Sequence, residues 1–284
     1  MQINVRGLSY RYMKADQPAI EGLEFAVEPG EIFGFLGPSA AGKSTTQKVL
    51  IGLLRDYTGH VQILGRDLAS WGSDLYERVG VSFEFPNHFG KLTGTENLRY
   101  FGSLYQAEVH APQKLLELVG LQNDGDLLVS QYSKGMKNRL SVARALVHDP
   151  DLLFLDEPTA GLDPVNARRI KDLVAEQRDR GKTIFLCTHD MTVAEELCDR
   201  IAFIVDGRIS LIESPRALKL QYGRRVVRVE YGADGNGQVQ EFPLEGLASN
   251  EQFLAVLEQP VKTIHSQEAT LERIFIEVTG RKLQ

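Results

Sequence analysis

Gly37-Pro38-Ser39-Ala40-Ala41-Gly42-Lys43-Ser44 is the stretch on which the reading of this chain turns. It fits the spacing G-x-x-x-x-G-K-[ST] of a loop that cradles phosphate. A polyphosphate is flexible and strongly anionic, so holding it takes backbone N–H groups that converge. Gly37 and Gly42 permit the tight path that aims them. Lys43 supplies a point charge for the outer phosphates, and the Ser44 hydroxyl is a hard oxygen for Mg²⁺.

The flanks decide between such a site and an ordinary glycine-rich turn. Upstream, Glu31 to Leu36 is a mostly apolar run without proline, which predicts a buried parallel strand. Downstream, Val49, Leu50, Leu53 and Leu54 recur at helical spacing, which predicts a helix over Ser44 to Leu54 whose N-terminus adds its positive dipole end to the loop. Thr45 and Thr46 read as residues that solvate its first turn.

A partner motif lies in the second half. Leu152-Leu153-Phe154-Leu155 predicts a strand that ends in Asp156-Glu157. A carboxylate at a strand end beside a phosphate loop can hold Mg²⁺, and Glu157 next to it can polarise an attacking water. Thr159-Ala160-Gly161-Leu162-Asp163-Pro164 follows, then a second apolar strand from Thr183 to Cys187 that leads to Thr188-His189-Asp190. His189 suits either a structural cap or a sensor of the terminal phosphate.

With Tyr132-Ser133-Lys134-Gly135-Met136-Lys137-Asn138-Arg139-Leu140 ahead of a helical run, the set of motifs becomes recognisable. Over residues 1–217 the chain resembles the ATP-binding subunit of an ABC transporter. The resemblance implies an α/β phosphate-loop ATPase with a parallel core sheet, an antiparallel β edge and a helical subdomain at about 93–145. It implies that Gly37, Pro38, Ser39, Ala40, Ala41, Gly42, Lys43, Ser44 and Thr45 bind ATP, with Tyr12 (or Tyr10) stacked on adenine. Ser44 and Asp156 would hold Mg²⁺, Glu157 would be the catalytic carboxylate and His189 would meet the γ-phosphate. Ser133, Lys134, Gly135 and Met136 would form the signature loop that binds the nucleotide of a second subunit, and Asp163 would communicate across that dimer.

Five positions depart from the family pattern. Ser39-Ala40 stands where Asn-Gly is usual, and alanine tolerates fewer backbone conformations. Lys134 replaces a glycine and Met136 a glutamine. Glu84 stands where the family has a glutamine between the metal and the membrane partner, and no glutamine occurs between Val79 and Asn97. A carboxylate there is a further candidate Mg²⁺ ligand that adds negative charge near the phosphates.

Composition agrees. The 284-residue chain is 43% hydrophobic and 25% charged, as globular proteins are. A net charge of −6, with Arg224-Arg225 only a short basic pair, argues against a nucleic-acid partner. Cys187 and Cys198 sit in apolar surroundings, which fits a reducing cytoplasm. Neither a signal peptide nor an apolar run near twenty residues is present, so any pore is expected on a separate polypeptide and this subunit on the inner face of the membrane. Phe85, Pro86, Phe89 and Leu92 precede the helical segment, either as a local core or as a groove for the permease's cytoplasmic helix.

From 218 to 284 a small α+β appendage is expected: a helix from Arg216 to Gln221 leading in, strands at Val226–Tyr231 and Gln238–Phe242 around the Gly232–Gly237 cluster, a capping box of Ser249 with Gln252, a strand at Val261–Ser266 and a last helix with Leu271, Ile274, Phe275 and Val278 on one face. The segment Leu271-Glu272-Arg273-Ile274-Phe275 resembles tails of ATPases that serve ABC-2-type exporters, and the signature resembles drug-export subunits, including fluoroquinolone-type ones. The expectation is an exporter ATPase that dimerises around two ATP·Mg²⁺. A non-transport ABC protein and a weakly hydrolysing regulatory subunit are the alternatives.

Overall fold

The computed structural model describes residues 1–222, 226–232, 237–267 and 270–281. The Arg224-Arg225 pair and most of the Gly232–Gly237 cluster lie outside the described residues. Two compact units emerge, Met1–Ser214 and Pro215–Arg281, a division slightly ahead of the expected break.

In the first unit, β1 (Ile3–Tyr10), β2 (Ile20–Val27), β4 (Thr58–Ile63) and β5 (Arg66–Asp67) pair antiparallel in the order β2-β1-β4-β5. A second sheet is built from β3 (Ile32–Leu36), β6 (Val79–Ser82), β7 (Leu152–Asp156), β8 (Thr183–Thr188), β9 (Arg200–Val205) and β10 (Arg208–Glu213). Its order is β10-β9-β3-β8-β7-β6, parallel except for the β10–β9 hairpin. Strands β3, β7 and β8 are buried at every position, as continuous apolar runs require when both faces of a parallel sheet are covered. Glu31 lies just ahead of β3, where its carboxylate accepts the Glu28 amide at 2.7 Å and pairs with Arg200.

The core between the sheets is aromatic. The Phe185 ring sits within 6.0 Å of Phe25, Phe33, Phe35 and Phe154, centroid to centroid. This packing fixes the register that matters for the site. Leu36 pairs with Thr188, and Asp156 with Cys187, so the carboxyl ends of β3, β7 and β8 meet at one sheet edge. Ligands of open parallel sheets bind at that edge.

Helix α1 (Lys43–Leu50) is shorter than expected. It stops because Gly52, at φ 74°, turns the chain left-handed, so Leu53 and Leu54 lie beyond it. Thr46 is fully buried, with its hydroxyl donating to the Gly42 carbonyl at 3.0 Å, so it does not solvate the first turn. The helical segment comprises α2 (Gly94–Gly102), α3 (Pro112–Leu118) and α4 (Lys134–Ala145). A capping box of Thr93 with Glu96 starts α2, and Gly120 at φ 68° follows the end of α3. Helices α5 (Pro164–Asp179) and α6 (Met191–Leu197) complete the unit.

In the second unit, α7 (Pro215–Tyr222) and α9 (Leu271–Thr279) pack on each other. Strands β11 (Val226–Tyr231), β12 (Gln238–Pro243) and β13 (Val261–Gln267) form an antiparallel sheet with β11 central. Val227, Val229, Tyr231 and Phe242 bury one face together with Val256 of α8 (Glu251–Leu257). The expected Ser249–Gln252 capping box does not form. Asn250 caps α8 by accepting the Phe253 amide at 3.0 Å, while Ser249 closes a short 3-10 turn.

Candidate functional site

The loop from Gly37 to Gly42 crosses the sheet edge against the β9–β10 hairpin. A Cβ at Gly37 would fall 2.2 Å from the Ile204 carbonyl oxygen, so only glycine lets the loop lie that close. The Ala41 carbonyl accepts the Gly207 amide at 3.0 Å, which ties the loop to the hairpin turn. Gly42 at φ 110° redirects the chain into α1, and Ala40 sits at φ 62°, a left-handed conformation that costs alanine its Cβ clearance. Lys43 is 8% exposed, and its ammonium donates to the Gly37 and Pro38 carbonyls at 2.6 and 3.0 Å. The cation is thereby held over the loop.

Ser44 donates its hydroxyl to Asp156 Oδ2 at 3.1 Å, joining α1 to the end of β7. Burial pushes the Asp156 carboxyl up to about 6. The Ser44 bond and Lys43 pull it down, and the Glu157 and Glu84 carboxylates push it further up. The pair offers two hard oxygens at one point. That donor set fits Mg²⁺, which takes one or two protein oxygens and completes its shell with phosphate and water.

Glu157 is buried beside Asp156 at φ 49°. Strained backbone of this kind persists only where its surroundings overdetermine it, and here they do. The Glu157 amide donates to the Cys187 carbonyl at 2.9 Å, and the Asn138 amide group donates to the carbonyls of Glu157, Pro158 and Ala160 at 3.2, 3.4 and 3.0 Å. The side chain is equally constrained. Oε2 accepts the Thr188 hydroxyl at 2.9 Å, and Oε1 accepts both the His189 backbone amide at 2.8 Å and His189 Nδ1 at 2.6 Å. Three of its four lone-pair positions are taken, and one on Oε2 stays available for a water. His189, its side chain 57% exposed, reaches out from this anchor.

Tyr12 lies past the end of β1, 39% exposed, with its hydroxyl 3.2 Å from Thr45 Oγ1 and its ring edge-on to Tyr10. Tyr10 is held in β1. A cavity of about 350 Å³ gathers Tyr12, the loop from Ser39 to Thr45, Glu84, Asp156, Glu157 and His189. Most of the residues singled out in the sequence thus converge.

The signature residues and Asp163 stand outside that cavity. Ser133 caps α4 by accepting the Met136 amide at 3.1 Å. Gly135 lies against the Gly161 carbonyl, where an added Cβ would come within 3.0 Å, and the Lys134 stem passes over Gly161. Asp163 caps α5, accepting the Val165 and Asn166 amides. Asn138 and Thr188 were present in the motifs but carried no role at the level of sequence. Their partners lie 19 to 31 residues away, and no local spacing reveals them.

Glu84 also lines a larger cavity of about 1120 Å³ between the sheet and α2, shared with Leu53, Phe83, Phe85, Phe101 and Tyr105. Phe85 is 77% exposed there, while Phe89 packs edge-on against Tyr100. Phe85 faces the groove, and Phe89, in ring contact with Tyr100 and Phe101, is itself 46% exposed, so neither is buried in a local core. Both cysteines are buried and free. Among the described residues no helix is long and apolar enough to cross a membrane.

Comparison with known proteins extends this picture. The sequence profile of the family described as "ABC transporter" matches residues 20–160, and that of the "Fluoroquinolone efflux ABC transporter C-terminal domain" matches residues 225–268. The fluoroquinolones export ATP-binding protein of Mycobacterium tuberculosis is 59% identical over 283 residues, 99% of this chain and 94% of that protein. The Nod factor export ATP-binding protein I of Burkholderia lata is 37% identical over 302 residues, 99% of this chain and 98% of that protein. An ATP-binding cassette solved as a dimer in a post-hydrolysis state with ADP and Pi superposes with a TM-score of 0.67 at 25% identity, over 75% of this chain and 98% of that one.

Proposed function

We propose that this chain, which belongs to the ABC transporter family and is one of its ATPases, dimerises around two ATP·Mg²⁺ and drives export of a drug-like molecule through a separate membrane permease. The observation that carries the reading is the convergence of Lys43, Ser44, Asp156, Glu157 and His189 on one sheet edge, beside a loop whose glycines admit no other residue.

Each residue has a part in the reaction. The loop amides and Lys43 bind and orient the phosphates, and Tyr12 offers its ring to the adenine. Ser44 and Asp156 would hold Mg²⁺, with Glu84 as a further carboxylate facing the same cavity; the cation would supply charge neutralisation for the phosphates. Glu157 uses the free lone pair on Oε2 to orient a water for attack and draw off its proton, and Thr188 and His189 fix the carboxylate. His189, anchored to Glu157 through Nδ1, lines the cavity where the γ-phosphate would sit.

Ser133, Lys134, Gly135 and Met136 lie outside their own subunit's cavity, which fits a role on a second subunit's nucleotide. Asp163 at the start of α5 would then communicate across that dimer. The large aromatic groove receives the permease, and the subunit sits on the inner face of the membrane through that contact. The substrate class is read from the relatives' names and from the match over residues 225–268.

The test is fluoroquinolone accumulation in cells that carry this chain with its cognate permease. Export should lower accumulation, and Lys43→Ala, which deletes the cation facing the phosphates, should abolish the effect. Equal accumulation with the parent chain and with Lys43→Ala would remove drug export from the reading.

A further inference from the structure

The loop that carries Tyr12 is fastened to the phosphate loop at its base. Between β1 and β2 the chain turns at Lys14, φ 69°, where the Ala15 amide donates to the Tyr12 carbonyl at 3.1 Å. It closes again where the Ala19 amide donates to the Tyr10 carbonyl at 2.9 Å. The Ala19 carbonyl oxygen lies where a Cβ at Gly42 would come within 3.0 Å and one at Gly207 within 2.7 Å. Glycine at both positions lets this base press against the phosphate loop and the β9–β10 turn.

The Tyr12 side chain is held separately. Its ring stands edge-on to Tyr10, centroids 5.0 Å apart at 87°, and its hydroxyl is 3.2 Å from Thr45 Oγ1. The two threonines that open α1 thus part company. Thr46 turns its hydroxyl back to the Gly42 carbonyl, whereas Thr45 reaches across 33 residues of sequence to the ring. Thr45 lines the same cavity as Lys43 and Ser44. A hydroxyl donates one bond and also accepts. With an anion bound, Thr45 accepts the Tyr12 proton and keeps its own for a phosphate oxygen, so one oxygen serves both ends of a nucleotide.

We propose that Thr45 is a positioning residue for base recognition: its hydroxyl holds the Tyr12 ring in place, so that ring and phosphate loop receive a nucleotide as one preassembled site. This role rests on Tyr12 as the surface that meets the adenine. An aromatic side chain that is 39% exposed on a loop samples several rotamers unless something fixes it, and ordering it on binding costs affinity. The tie removes that cost ahead of time. It also gives the site a means of preferring a nucleotide to an inorganic polyphosphate, which has no base to stack.

The test measures, by calorimetry on the full-length chain with Mg²⁺, the affinities for ATP and for inorganic tripolyphosphate. Their ratio isolates the base, because any contact Thr45 makes to phosphate enters both. Tyr12→Phe and Thr45→Val each delete only the hydroxyl link, and each should lower the ratio about fivefold, with Thr45→Ser within about twofold of the parent. The double variant should lose no more than either single one, since both remove the same bond. An unchanged ratio in either single variant overturns the inference, as do additive losses in the double variant or a loss in Thr45→Ser equal to that in Thr45→Val. Tyr12→Ala separates the tie from the stacking role. If it lowers the ratio while Tyr12→Phe does not, Tyr12 meets the base but needs no tie, and the inference alone falls. If the parent holds ATP no more tightly than tripolyphosphate, the stacking role of Tyr12 fails and the inference with it.

Discussion

At the scale of single residues, the cavity proposed to hold the nucleotide carries two costs, one conformational and one electrostatic. Ala40 holds φ 62° where glycine would be relaxed. Left-handed backbone costs an L-residue about 1–2 kcal/mol, partly offset by the greater entropy glycine loses on folding. Ala40→Gly should therefore stabilise the protein by up to about 1 kcal/mol, read as a higher denaturant midpoint at unchanged slope. Asp156 carries the second cost. Its carboxyl stands near 6 in the fold against 3.8 for the free group, so the folded chain without nucleotide takes up a proton that the unfolded chain releases. The stabilisation this brings is fully present below about pH 3.8, is lost as pH rises through about 6, and amounts to about 3 kcal/mol at most. Cation binding runs the other way, because the ligand must be ionised. Mg²⁺-dependent ATP affinity should fall about tenfold per pH unit below about 6, beyond the change seen in Asp156→Asn, by fluorescence titration. Parallel profiles for the two chains would mean that Asp156 does not hold the metal.

At the scale of elements, α4 is the organising piece. It receives the groove segment through His88 and Arg144 and holds the loop after β7 through Asn138. Asn138→Ala removes three donated bonds to buried carbonyls, which should cost about 1–3 kcal/mol. Since Glu157 at φ 49° would lose part of its restraint, kcat should also fall while the KM for ATP changes little. The same stability loss with unchanged kcat would make Asn138 a packing residue only. This element also marks how far the sequence could be read. Strands β3, β7 and β8 were legible because burial on both faces writes itself as an uninterrupted apolar run, and the phosphate loop because glycine and lysine stand at fixed spacing. The boundaries were less so: α1 stops at Leu50 because Gly52 turns left-handed, whereas its apolar periodicity runs on to Leu54. Asn250 displaces Ser249 as the cap of α8, a choice between two good capping residues that spacing alone does not make. Asn138 and Thr188 went unseen because their meaning lies in partners brought near only by the fold.

At the scale of the whole molecule, each of the two units has its own core, and the sequence comparisons divide in the same way, with one family match in residues 20–160 and another in 225–268. The first unit places Lys43, Asp156 and Glu157 in one cavity and Ser133 outside it, and in the proposed reading Ser133 serves the nucleotide of a second copy of this chain. In the proposed cycle, ATP closes that dimer and hydrolysis reopens it, with Glu157 responsible for the hydrolysis. The most direct measurement is the mass in solution of Glu157→Gln with ATP·Mg²⁺, beside its rate of hydrolysis. Removing the carboxylate while keeping the loop should preserve ATP binding, abolish most turnover and trap a dimer of twice the 31.7 kDa chain mass, whereas the same chain without nucleotide stays monomeric. A Glu157→Gln chain that hydrolyses ATP at the parent rate, or that binds ATP·Mg²⁺ and remains at 31.7 kDa, would contradict this cycle.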